Sequence, residues 1–197
     1  MNDYIKMLSD QNKLSISISP NRWQFDKNPY IISGPCSVES EEMIVDWAHK
    51  MKRLGVNALR GGAYKPCTYP IMQEVGENGW KEGLREDGLR FLKTAREESG
   101  LPIVSEIMDS NQITESTMEC IDIVQVGTRN FQNYTLLDAL GELDIPILLK
   151  RGTWGTIDEI LGAVERILVR GNEKVAICLR GVVGMPSYRH VFPSIRW

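Results

Sequence analysis

From residue 30 onward the chain alternates between two hydrophobic rhythms. Short apolar runs rich in β-branched residues occur at 30–35 (YIISGP), 56–62 (VNALRGG), 102–108 (PIVSEIM), 121–127 (IDIVQVG), 145–152 (IPILLKRG) and 174–181 (KVAICLRG). None shows the strict apolar–polar alternation of a strand with one wet face, so each predicts a strand buried on both faces. Amphipathic stretches separate them. Residues 39–55 predict a helix with Ser40 as N-cap and Gly55 as stop signal, and residues 86–100 a second helix that ends at Gly100. Residues 110–120 predict a short helix capped by Ser110 or Asn111, and 133–143 a longer one. The last helix, 156–172, starts at Thr156 and places Ile157, Ile160, Leu161, Val164, Ile167 and Leu168 on one face.

Strict alternation of strand and helix predicts a parallel sheet with helices outside it. Six such units suit an open doubly wound sheet or part of a (β/α)8 barrel. Polar and charged residues recur at the strand ends: Cys36, Arg60, Glu106, Arg129, Lys150 and Arg180. A barrel gathers all of those ends at one mouth, whereas an open sheet spreads them along an edge. The expected fold is therefore a TIM-type (β/α)8 barrel over 30–197, a single domain holding about six of the eight units. Residues 1–29 form an N-terminal extension in which 13–26 (KLSISISPNRWQFD) predicts a hairpin turning at Pro20 and Asn21. The connection 63–85 exceeds an ordinary strand-to-helix loop, a length that usually signals function.

Composition narrows the functional classes. The 197 residues are 42% hydrophobic and 25% charged, enough for one domain with a sizeable core. The net charge is −3 with no broad basic stripe, which points away from nucleic acid. No apolar run approaches the roughly 20 residues that cross a bilayer, and the first residues lack a signal-peptide pattern. Cys36, Cys67, Cys120 and Cys178 show no paired spacing, so free thiols in a reducing cytoplasm are expected.

Local chemistry then becomes the informative part. Arg60, Lys65, Arg129, Lys150 and Arg180 would meet at one barrel mouth, where five cations repel unless a multiply charged ligand neutralises them. A compound with both a phosphate and a carboxylate suits that set, with Arg forming paired bonds and Lys acting as a point charge. Backbone amides at 127–129 would add donors. Cys36, in GPCS at the end of the first strand, suits a divalent-metal ligand or a nucleophile. His49 falls inside a helix, partly solvated, and His190 follows the last strand; neither has metal-ligand spacing.

Taken together, GPCSVES, LRGGAYKPCT, IVSEIMD, VQVGTRNFQN, LLKRGTWGTIDEILGAVERI and the LRG of the sixth strand resemble the 3-deoxy-D-arabino-heptulosonate 7-phosphate (DAHP) synthase family. The wider superfamily also holds the 3-deoxy-D-manno-octulosonate 8-phosphate (KDO8P) synthases. The resemblance runs from about residue 28 to the C-terminus, and GTRNFQN followed by LLKRG resembles the DAHP branch. It implies a condensation of phosphoenolpyruvate (PEP) with erythrose 4-phosphate that releases phosphate, on the route to aromatic amino acids. Carried over by position, Arg60 and Lys65 would face the PEP carboxylate as catalytic and binding groups. Arg129, Lys150 and Arg180 would hold the phosphate. Thr68 would contact the sugar phosphate, Glu106 would line the site, and Cys36 would ligate a divalent metal of the Mn, Fe, Co or Zn type. Self-association is also implied.

Three features depart from that family. Cys67 stands where many members carry Arg, and Leu179 where many carry Glu. The chain ends at Trp197, before the seventh and eighth strands that would carry the other metal ligands, so the expectation is a fragment, a truncated product or a barrel completed by another chain. Two alternatives accompany the main reading: a related synthase acting on another aldose, and a non-catalytic homologue that binds PEP or a partner.

Overall fold

The computed structural model describes residues 29–66 and 83–181 in full, and the backbone alone of the short strands at 15–17, 22–24, 182–183 and 191–192. Cys67, Thr68 and His190 lie outside the described residues. Residues 13–124 form one compact unit and a second is built on residues 125–197, the division falling within one strand.

The first unit begins with the expected hairpin: β1 (Ser15–Ser17) pairs antiparallel with β2 (Arg22–Gln24). Its main layer is a parallel sheet of β3 (Ile32–Ser33), β4 (Ala58–Arg60) and β5 (Ile103–Ile107), in that order. Ser33 lies beside Leu59, and Arg60 beside Val104. All five residues of β5 are buried, Ser105 and Glu106 included, as an unalternating run predicts.

Helix α1 (Glu41–Arg53) connects β3 to β4. Its N-cap is Ser40, whose hydroxyl accepts from the Met43 amide at 3.1 Å. Glu41 and Glu42 occupy the first turn and Lys50, Lys52 and Arg53 the last, so charge opposes the helix dipole at both ends. Ile44, Ala48 and Met51 make its buried face. Helix α2 (Arg85–Ser99) buries Leu89, Leu92 and Ala95, and ends at Gly100, whose φ of +68° suits a residue without a Cβ. His49 Nε2 and Glu98 Oε2 join the two helices at 3.1 Å on a partly exposed surface, a structural hydrogen-bond contact. After β5 a 3-10 turn (Ser110–Gln112) leads to the one-turn helix α3 (Glu115–Met118). The caps are Asp109 and Thr114, where the sequence suggested Ser110 or Asn111; Asp109 accepts from the Asn111 amide and Thr114 from the Thr117 amide.

Strand β6 (Ile123–Val126), fully buried, contains the division between the units. The second unit continues with α4 (Tyr134–Gly141), β7 (Ile147–Lys150), α5 (Ile157–Leu168) and β8 (Val175–Cys178). β7 and β8 run parallel, with Lys150 beside Cys178. Thr156 caps α5 in a full capping box: its hydroxyl accepts from the Glu159 amide at 3.2 Å while the Glu159 carboxylate accepts from the Thr156 amide at 2.7 Å. The predicted apolar stripe is the buried one, through Ile160, Val164, Ile167 and Leu168. The short strands β9 (Val182–Val183) and β10 (Val191–Phe192) pair antiparallel.

Asp122 ties the start of β5 to α2. Its carboxylate accepts from the buried Ile103 amide at 2.8 Å and from Arg96 at 3.2 Å. Asp122→Ala leaves that amide without its acceptor, so the expected loss is about 1–3 kcal/mol. The exposed Asp87–Arg90 pair is the control: Asp87→Ala should change stability by less than about 1 kcal/mol. Chemical denaturation of both variants checks this, and equal losses would contradict the role given to Asp122.

Candidate functional site

In the first unit the strand register sets β3 and β4 level, and their following loops interlock. β3 leaves through Gly34 at φ +151°, where a Cβ would stand 2.0 Å from the Arg60 carbonyl oxygen. Only glycine fits that approach. Pro35 and Cys36 then turn the chain back, and the Val38 amide donates to the Gly62 carbonyl at 3.0 Å. A Cβ at Gly62 would in turn lie 2.7 Å from the Cys36 carbonyl oxygen. The glycines of RGGAYK therefore let its backbone lie directly against GPCS.

That interlock brings Cys36, Arg60 and Lys65 together. Arg60 donates from Nη1 to the Pro35 carbonyl at 3.2 Å, and Lys65 Nζ donates to Cys36 Sγ at 3.1 Å. The bond from Lys65 pulls the Cys36 thiol below its ordinary value; burial opposes it, while the Lys65 charge and the Arg60 bond and charge reinforce it. Cys36 is exposed, whereas Cys120 is buried and donates to the Ser116 carbonyl at 3.3 Å. Burial pushes the Cys120 thiol up, as befits core packing.

Beside this cluster, the Ala63 amide donates to Ser105 Oγ at 3.4 Å, so β5 supports the RGGA loop. Glu106, the next residue, is 5% exposed. Tyr64 is buried and donates to Glu86 at 3.1 Å; burial and that carboxylate push its phenol up to about 12. Tyr64, Glu86, Arg85, Met108, Gln112 and Thr114 belong to the wall of a cavity of about 460 Å³. Cys36, Arg60 and Lys65 are not part of that wall.

The second unit builds its own cationic group. Lys150 ends β7 half-buried, and Arg180 lies two residues beyond Cys178 and is exposed. Arg180 donates from Nη1 to the Thr128 hydroxyl. Thr128 opens the 3-10 turn Thr128–Asn130, which carries the exposed Arg129. Arg180 and the turn bearing Arg129 are thus brought together.

Three residues of this unit were not singled out from the sequence. Thr128 holds Arg180. Phe131, 0% exposed, occupies the space under the next turn: a Cβ at Gly152 or Gly155 would stand 2.4 or 2.5 Å from its ring. Arg151 is 3% exposed and, among the described residues, donates to backbone carbonyls alone. A signal for Arg151 was available. It directly follows Lys150 at a strand end, where successive side chains point to opposite sides, so one of two adjacent cations must turn inward.

Among the described residues, no group of three or more His, Cys, Asp or Glu side chains comes together as a metal cage. Cys36 is a single thiol that lies beside the cations Lys65 and Arg60. The described residues by themselves therefore do not make a site for a resident metal.

The profile of the DAHP synthetase I family matches residues 18–194. The phospho-2-dehydro-3-deoxyheptonate aldolase of Thermotoga maritima is 43% identical over 152 residues, covering 77% of this chain and 42% of that protein. The 2-dehydro-3-deoxyphosphooctonate aldolase of Syntrophotalea carbinolica is 28% identical over 151 residues, covering 77% of this chain and 54% of its own length. The chain thus spans about half the length of these curated relatives. The crystal structure of the Thermotoga maritima DAHP synthase superimposes with a TM-score of 0.76 at 37% identity, over 88% of this chain and 47% of that one. A truncated form of that synthase gives 0.73 at 35% identity, over 88% and 59%. The fold is accordingly that of a (β/α)8 TIM-type barrel, of which this chain covers part, and the chain belongs to the DAHP synthetase I family.

Proposed function

We propose that the protein containing this chain condenses PEP with erythrose 4-phosphate, giving DAHP and inorganic phosphate. The observation that carries this reading is the Cys36–Arg60–Lys65 cluster in a chain 43% identical to a phospho-2-dehydro-3-deoxyheptonate aldolase. The lower identity, 28%, to an octonate relative favours the heptonate product over its longer homologue.

In this reading Arg60 and Lys65 take the carboxylate of PEP, and Arg129, Lys150 and Arg180 take its phosphate. Guanidinium forks match either group with two parallel bonds, and an ammonium adds charge without fixed direction. C3 of PEP forms a bond to the aldehyde carbon, and the aldehyde oxygen takes up a proton. Water adds at C2, the bond from C2 to the phosphate oxygen breaks, and inorganic phosphate leaves. Lys65 carries exchangeable protons beside Cys36, which suits it to supply one to the developing alkoxide. Glu106 lines the site, and Thr68 meets the sugar phosphate. The described residues give no complete metal site, so no step is assigned to a metal, and Cys36 is placed as a thiol whose state Lys65 sets. Among the described residues no helix is long and apolar enough to cross a membrane, which accords with the cytoplasmic placement that a biosynthetic enzyme of this class calls for.

Phosphate release from PEP should depend on erythrose 4-phosphate. An assay over a panel of aldose phosphates and free aldoses checks this, and turnover with another aldose alone would overturn the heptonate reading. Arg60→Gln and Arg129→Gln should each weaken PEP binding about 10- to 100-fold, the loss of a charge-assisted contact worth about 1.5–3 kcal/mol. Calorimetric titration measures this, and unchanged affinity in both variants would contradict the assignment. Alkylation of Cys36 followed against pH, with the site identified by peptide mass, should show a midpoint below that of an ordinary thiol. Lys65→Met should move the midpoint upward, because the ammonium that favours the thiolate is gone. An unmoved midpoint would remove Lys65 as the cause.

A further inference from the structure

We propose that Arg151 is a positioning residue: its buried guanidinium staples the segment after β8 to the turn after β7 and so fixes where Arg180 presents its side chain. This rests on the reading of Arg180 as an anion-binding group. The Arg151 amide donates to the Cys178 carbonyl at 3.1 Å, extending the β7–β8 ladder one step past Lys150. Its side chain then bonds to four carbonyls in two different segments. Nη1 donates to Gly152 at 3.2 Å and Gly155 at 2.6 Å, both in the turn that opens α5. Nη2 donates to the carbonyls of Arg180 and, at 3.3 Å, of Gly181.

Stability alone does not account for this arrangement. Arg151 is 3% exposed, its Nε has no hydrogen-bond partner, and among the described residues no carboxylate pairs with it. A buried charge answered only by backbone dipoles is costly, and an apolar side chain of similar volume would fill the space at lower cost. What an apolar residue cannot do is hold two chain segments in one plane. A lysine cannot do it either, since its single nitrogen lacks the fork that reaches both sides. Holding the Arg180 carbonyl fixes the backbone from which the Arg180 side chain reaches Thr128. The adjacent cations therefore divide the work: Lys150 serves the ligand, and Arg151 serves the residue that grips it.

The test has a ligand-free arm and a ligand arm, both on the protein with its full natural chain. In hydrogen–deuterium exchange, Arg151→Lys should raise the exchange rate of residues 178–183 at least tenfold while leaving α4 unchanged; unchanged exchange at 178–183 would overturn the proposal. In PEP titrations Arg151→Lys should weaken binding at least tenfold in the wild-type background, but less than threefold when Arg180→Gln is already present, because Arg151 acts through Arg180. Equal losses in both backgrounds would overturn the proposal. Failure of the wild-type protein to bind PEP would sink the anion-binding reading, and the exchange measurement would still decide the staple. Should Arg151→Lys not fold, the wild-type protein decides the same point: the Arg151 Nη protons should give separate, slowly exchanging resonances, and averaged, fast-exchanging ones would refute the staple.

Discussion

Positive charge concentrated at the ends of parallel strands has to be answered by something, and each unit answers it differently. In the first unit the answer is a thiol: Lys65 donates to Cys36, and Arg60 stands close enough to share in lowering its proton affinity. In the second, neutral oxygen is part of the answer. Arg180 uses the Thr128 hydroxyl, and Arg151 uses four backbone carbonyls. Hydroxyls and carbonyls satisfy the hydrogen-bonding capacity of a guanidinium without cancelling its charge. In the proposed function, such positive potential would attract and orient an anionic substrate.

The backbone is arranged to make this possible. Gly34 and Gly62 let GPCS and RGGAYK lie against each other closely enough for Lys65 to reach Cys36. Phe131 does comparable work in the other unit by filling the space beneath Gly152 and Gly155, so the turn after Lys150 has one place to sit. In both cases a glycine marks where backbone meets backbone or ring, and the charged neighbour is placed as a consequence.

Much of this was legible before any coordinates. The unalternating strands, the Ser40 and Thr156 caps and the Gly100 stop follow from local propensities that tertiary structure did not override. Cys36 and Arg60 were legible separately as chemistry-bearing residues at strand ends, but the bond from Lys65 to Cys36 was not, because it depends on how the two glycine loops interlock. The caps at Asp109 and Thr114 were missed because Asp, Ser, Asn and Thr crowd one short stretch, and all of them cap well. Arg151 was missed for a different reason. A cation beside a candidate ligand-binding lysine looks like another ligand-binding group; strand alternation says that one of the pair turns inward, and burial shows that it is Arg151. The family resemblance suggested which anion to propose, which charge and spacing could not supply.

The central claim is that these strand-end cations exist to hold PEP. A crystal structure of the protein grown with PEP tests it most directly. The account predicts the carboxylate bonded to Arg60 and Lys65 and the phosphate bonded to Arg129, Lys150 and Arg180. PEP bound away from these side chains, or the cations paired with protein carboxylates in its presence, would contradict it.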